Sequence, residues 1–301
     1  MEKPNKIVEN ISITSETIKL EFSTAGAELI SAVHLGNQKE FIWTGEAAVW
    51  PRHTPVLFPF VGKSASNTIR LNNKSWPMSQ HGFARDQVFE ISELYTDLVS
   101  FSLVGNAEKF PNFPFPFLFR ISYHLEGDKL TISYSITNSG DEDLHCSVGA
   151  HPGFLLPVAS LDHYSIWFEK DGSGEVSLLK DGLISGEKLR LDFPNNTLPL
   201  SSELFKDDAL VFENLKSRKI LLSKNSGDYG IEMEYPDFPY LGIWAKYPNE
   251  SFVCLEPWHG LADEYNFTGD FSQRKGMMCL APESTKELSY SIRFLNKVWI
   301  R

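Results

Sequence analysis

Apolar residues recur at every second position through most of this chain. Ile18, Leu20 and Phe22 alternate with polar neighbours in TIKLEF, the period of a strand with one buried face. FLFRISYHL (117–125) and LTISYSIT (130–137) repeat the pattern over longer runs, and the EGD between them is turn chemistry. The two runs predict a β-hairpin. Shorter runs follow: LHCSV, YSIWFE, KLRLDF, ALVFE, KILLS, GIEMEY, LGIWAK, FVCLE and ELSYSIRFL, each bounded by Gly, Pro, Asn or Asp. Helical signals are confined to single turns in SSELFKDD (201–208), with Ser at the cap, DEYNF and SQRKG. No segment keeps a 3.6-residue period for three turns. The pattern predicts an all-β protein, a large antiparallel β-sandwich with few short helices. No repeat, low-complexity tract or linker interrupts it, so a single domain over 1–301 is expected.

FPNFPFPFLF (110–119) departs from alternation. Proline belongs at strand starts and edges, so this stretch reads as an aromatic loop capping one end of a sheet.

Composition narrows the function. A chain of 301 residues buries enough surface to fold without disulfide or metal. Its net charge of −11 argues against nucleic-acid partners and against an anionic membrane surface. Cys146, Cys254 and Cys279 form neither a CxxC pair nor a zinc spacing, and are expected to be buried free thiols in a reducing compartment. The stretch MEKPNKIVEN has no apolar leader region, and no run of about 18 apolar residues predicts a membrane span. A cytoplasmic protein is the expectation.

Three polar sites stand at strand ends or in loops, where a rigid β frame holds functional groups. They are His81 in SQHGFAR, His151 in GAHPGF, and Glu256 in FVCLEPWHG. Glu256 follows four apolar residues, and burial would raise its pKa toward that of a general base at neutral pH. A carboxylate tied to backbone or arginine is the structural alternative. Phe83, Phe154 and Trp258 could form an apolar wall, and such a set suits a neutral polyol such as a sugar. Zinc ligation by the two histidines and Glu256 competes, but no HxH or HExxH spacing supports it. No GxSxG elbow points to a serine hydrolase.

These residues resemble the aldose 1-epimerase (galactose mutarotase) family, most closely its LacX-like branch. The resemblance rests on PVLFPFVGK (55–63), QHGFAR (80–85), GAHPGF (149–154), DALVF (208–212) and CLEPW (254–258), in the family's order. It implies a β-supersandwich and interconversion of α and β anomers without cofactor or metal, with a small-molecule sugar as partner. By position, Glu256 matches the catalytic base and His151 the general acid on the ring oxygen. His81 matches a sugar-binding histidine. Asp208 matches an aspartate holding sugar hydroxyls, with Asp207 as the neighbouring alternative. Arg85 and Trp258, within the matching motifs, complete the expected substrate-binding set. Two departures bear on substrate. GKSASNTI (62–69) stands where galactose mutarotases carry a GRxANRI-like segment, so Lys63 replaces a sugar-binding arginine. HPGF replaces HPYFNL, so Gly153 marks a place where sugar preference differs. Two alternatives to a free hexose remain. One is a hexose 6-phosphate, with Lys63, Arg52, Arg70 and Arg85 as cations; the other is a non-catalytic carbohydrate-binding protein.

Overall fold

A computed structural model describes residues 7–298; the first residues of the stretch read for a leader lie outside them. Among the described residues nearly all regular structure is β, and the helical segments are short 3₁₀ turns. None is long and apolar enough to cross a membrane.

Two large antiparallel sheets dominate. One has nine strands, with Phe117–Glu126 and Lys129–Asn138 near its middle. These form the expected hairpin, paired from Phe117↔Asn138 to Glu126↔Lys129. Gly127 takes φ +59° at the first turn position, a conformation glycine adopts without a Cβ clash. Along Phe117–Leu125 every second residue is buried. The other large sheet has eight strands; Tyr240–Trp244 and Phe252–Trp258 pair near its centre. A four-stranded sheet built from residues 10–40 adjoins them.

The second sheet holds a strand whose burial does not alternate. Every residue of Phe252–Trp258 is buried, so both faces of this strand are covered. Val253 and Leu255 enter the main core, shared with Phe119 and Ile121 of the nine-stranded sheet. Phe252, Cys254, Glu256 and Trp258 project from the opposite face. There Phe252 and Cys254 pack with Trp43, and Trp258 packs with Leu57, Val61 and Leu261.

The aromatic-proline stretch is a loop through Pro116, and its last three residues already belong to the strand Phe117–Glu126. Phe110, Phe113 and Phe117 are buried, and Phe110 stacks on Phe83 at 4.3 Å. It thereby supports the segment that carries His81. The helical expectations hold in part. Ser202–Phe205 is a 3₁₀ turn, but Ser201 makes no side-chain cap bond. Phe271–Gln273 is another turn, capped by Asp270. DEYNF forms none; Glu264 bridges to Ile184 instead. Cys146 and Cys254 are buried free thiols, whereas Cys279 is exposed, because its side chain alternates outward on the short strand Met278–Leu280.

Candidate active site

Glu256 and His151 are brought together by strand pairing. Gly149 pairs with Trp258, and Gly153 pairs with Cys254. The two pairings bracket His151, which bows out opposite Glu256. His151 Nε2 lies 3.1 Å from Glu256 Oε2. Glu256 is 1 % exposed, and among the described residues neither carboxylate oxygen meets hydrogen-bond geometry with a protein group. A buried carboxylate without such bonds is costly in a folded protein. His151 Nδ1 is likewise buried without a partner.

His81 has the backbone of a held side chain. Its φ is +68°, in the left-handed region that non-glycine residues rarely occupy. Its N–H donates to the Gly62 carbonyl at 2.8 Å, and the Gly62 N–H donates to His81 Nδ1 at 3.1 Å. Nδ1 therefore accepts, so the neutral ring carries its proton on Nε2, which stands 3.3 Å from the Gln80 side-chain amide. Gly82, at φ +73°, follows; a Cβ there would lie 2.3 Å from the Phe58 carbonyl oxygen. That glycine is required by contact with the fold's own backbone.

These groups share one cavity of about 300 Å³, at the small end of the range for ligand sites. Arg85, Asp208 and Trp258 also line it. Asp208, exposed at the rim, lies on the wall and Asp207 does not. Lys63 is elsewhere: its ammonium donates to the Asp181 carbonyl at 2.8 Å, on the turn between two neighbouring strands. Arg52 pairs with Asp86 at 2.7 Å, and Arg70 reaches the Thr268 carbonyl. The aromatic wall also differs from expectation. Phe83 and Phe154 pack into the core, and Trp50 and Trp244 take their place beside Trp258. Trp244 shares its strand face with Gly242, which opposes Glu256. A Cβ at Gly242 or Gly149 would fall 2.5 or 2.7 Å from the Trp258 indole. Glycines inside two strands were the readable sign of a large ring nearby. Trp50, in the loop AVWPRH, carried no such sign, and neither did Gln80 or Lys246, which also line the cavity.

The acidic and basic groups that a metal would use are assembled differently from the set of two histidines and Glu256. His151, Cys254 and Glu256 offer ligand atoms within 4.8 Å of one another, and His81 is not among them. Burial, with Glu256 beside it, pushes the Cys254 thiol well up.

Burial dominates the electrostatics. It raises Glu256 well above the ordinary carboxylate value, with Asp208 adding to the effect and the Trp258 indole N–H opposing it. It lowers His151 to about 3 against the opposing effect of the residue's own backbone, and the positive charges of Arg85 and Arg52 act with burial. It also lowers His81, aided by His151 and Arg85. The resting pair thus favours its neutral forms, with one proton held between carboxyl and imidazole on the Glu256 side.

The profile of the aldose 1-epimerase family matches residues 9–271. The plasmid and chromosomal LacX proteins of Lactococcus lactis subsp. lactis are each 28 % identical over 299 residues, covering 95 % of this chain and 99 % of theirs. A galactose mutarotase related enzyme from Lactobacillus acidophilus superposes with TM-score 0.91 at 31 % identity, covering 97 % of this chain and all of that one. A galactose mutarotase-like protein from Lactobacillus casei gives 0.88 at 31 % identity, covering 95 % of this chain and all of that one.

A shared proton has a signature in stability. Between about pH 4.5 and 6.5 the unfolded pair carries one proton, on histidine. The folded pair also carries one, on Glu256, so it adds no slope there. In Glu256→Gln the folded side chains hold none, while unfolded His151 still binds one. Stability of the variant should therefore rise with pH more steeply than wild type, by about 1.4 kcal/mol per pH unit in that window. Urea midpoints at several pH values measure the difference; parallel curves would contradict the shared proton.

Proposed function

Because the chain belongs to the aldose 1-epimerase family, we propose that it interconverts the α and β anomers of a free hexose, with Glu256 and His151 moving the protons. The observation that carries this reading is the buried Glu256 carboxyl, tied among the described residues to neither arginine nor backbone and 3.1 Å from His151 Nε2, in a cavity of about 300 Å³.

Ring opening of a hemiacetal takes a proton from the anomeric hydroxyl and delivers one to the ring oxygen. Both oxygens are borne by one carbon, so a base and an acid in mutual reach suffice. Sugar hydroxyls donating to the Glu256 oxygens favour its ionised form, and the proton passes to His151. Glu256 then takes the anomeric proton while His151 donates to the ring oxygen and the C1–O5 bond breaks. The aldehyde rotates about C1–C2, and attack on its other face reverses both transfers. His81 Nε2–H serves as a neutral donor to the sugar, and Asp208 holds hydroxyls at the rim. Trp258 and Trp244 offer apolar faces to the sugar's C–H surface.

A phosphorylated hexose has one supporting observation: Arg52 lies close enough to Arg85 to lower its pKa, second only to burial, and Arg85 Nε is buried without a partner. Asp208, at the rim of the same cavity, opposes a further anion, so the neutral sugar is preferred.

Fresh α-glucose or α-galactose should mutarotate faster in the protein's presence, followed by polarimetry. Glu256→Gln should lower kcat by roughly 10²–10⁴-fold, and Asp208→Asn should act mainly on KM. Inorganic phosphate should leave the rate unchanged. Wild-type turnover in Glu256→Gln would sink the assignment of the base, and competition by phosphate would favour the phosphorylated substrate.

The pH profile follows from the same pair. Acidification through about 3 adds a second proton at His151, and alkalinisation past the raised Glu256 value removes the only one. kcat/KM should stay level as the pH rises from about 5 through 6.5, the ordinary histidine value, and fall only where Glu256 loses its proton on the alkaline side. A decline centred on 6.5, the ordinary histidine value, would mean that the two groups titrate independently.

A further inference from the structure

Among the described residues, no other residue bonds the Nδ1 of His151; after burial, the histidine's own backbone is the next influence on the ring. A histidine that moves protons is ordinarily oriented through the hydrogen bond on its second nitrogen. Here no bond to another residue fixes which ring edge faces Glu256, and packing takes that part. Trp50 lies flat against the imidazole, centroids 4.9 Å apart at 29°. Trp244 meets it edge-on at 5.7 Å. The Trp50 ring itself lies parallel to Phe252, at 5.4 Å and 6°, so neighbours hold it too.

The segment bearing Trp50 is fastened to the histidine's own loop. Trp43 Nε1 donates to the Trp50 carbonyl at 2.9 Å. The Trp43 N–H donates to the Gly153 carbonyl at 2.9 Å, and the Gly153 N–H donates to the His53 carbonyl at 2.8 Å. Glu28 Oε1 accepts from the His53 and Thr54 N–H groups at 2.7 and 2.8 Å. Gly153 leaves the room for this: a Cβ there would stand 2.9 Å from Trp50 Cζ3 and 3.2 Å from the His53 carbonyl oxygen. The glycine two residues after His151 thus makes space for an indole against the imidazole.

We propose that Trp50, seated by Gly153, is a positioning residue that holds the His151 ring with Nε2 toward Glu256 and so sets the alignment of proton transfer. This rests on the reading of His151 as a proton-transfer group. It also ties the Gly153 departure to the histidine more directly than to sugar preference.

Anomer-exchange kinetics and ¹⁵N NMR of the histidine rings test it on Trp50→Leu, Trp50→Phe, Gly153→Ala and the Trp50→Leu/Gly153→Ala double variant. Trp50→Leu should lower kcat roughly 10- to 100-fold with KM within about twofold, the scale of a misplaced reacting group. Trp50→Phe should recover most of the rate. The His151 nitrogen signals should move from a single tautomer toward an average in Trp50→Leu. Gly153→Ala should lower kcat in the wild-type background and add much less in Trp50→Leu, since its closest clash is with the ring already removed. Unchanged kcat, a loss confined to KM, additive effects in the double variant, or a fall in kcat with unaltered His151 signals would each overturn the proposal. Should Trp50→Leu fail to fold, Gly153→Ala alone carries the test through its kcat and its His151 signals. Full activity in His151→Gln would defeat the underlying reading instead, whatever the Trp50 variants do.

Discussion

A buried carboxyl and a half-buried imidazole face each other at 3.1 Å on the wall of the cavity. Burial pushes the one up and the other down, so both resist charge. Two separated charges here would each bear a desolvation penalty, whereas one proton held between neutral groups avoids both. Much of the surrounding architecture serves to hold this pair. The strand carrying Glu256 is covered on both faces, the loop carrying His151 is bracketed by pairings to that same strand, and His81 is pinned beside them in a left-handed conformation.

The missing hydrogen bonds matter as much as the contacts. Had Glu256 been tied to arginine or backbone, it would be a structural carboxylate, fixed in its ionised form. Arg274, the most buried cation near the site, is committed elsewhere. It pairs with Asp263 and bonds the Val61 and Leu261 carbonyls, and so fixes the loops that flank the cavity. Lys63 is spent on the Asp181 carbonyl. The carboxyl is left with capacity that sugar hydroxyls can fill.

Much of this was legible in the residues. Alternation in Phe117–Leu125 reported a half-buried strand, and the four apolar residues before Glu256 pointed to a buried carboxyl. The motifs around His81, His151 and Glu256 marked positions the fold does bring together. What escaped was set by long-range packing. Nothing local in AVWPRH says that Trp50 will lie on His151, because the contact spans a hundred positions of chain. Lys63 looked like a replacement for a sugar-binding arginine only while its partner, on a distant turn, was unseen. Phe83 and Phe154 were credited to the cavity because sequence nearness cannot tell which face of a strand or turn a ring will take. Nor does sequence say which member of a coupled pair holds the proton; that depends on how completely both are buried.

The central claim is that Glu256 keeps the pair's proton until a sugar displaces it. Infrared difference spectroscopy of wild type against Glu256→Gln at neutral pH reads this directly, through the carbonyl stretch of a protonated carboxyl. The account predicts that band in the sugar-free protein and its loss when an aldose is added. A carboxylate band at Glu256 before any sugar is present would contradict it.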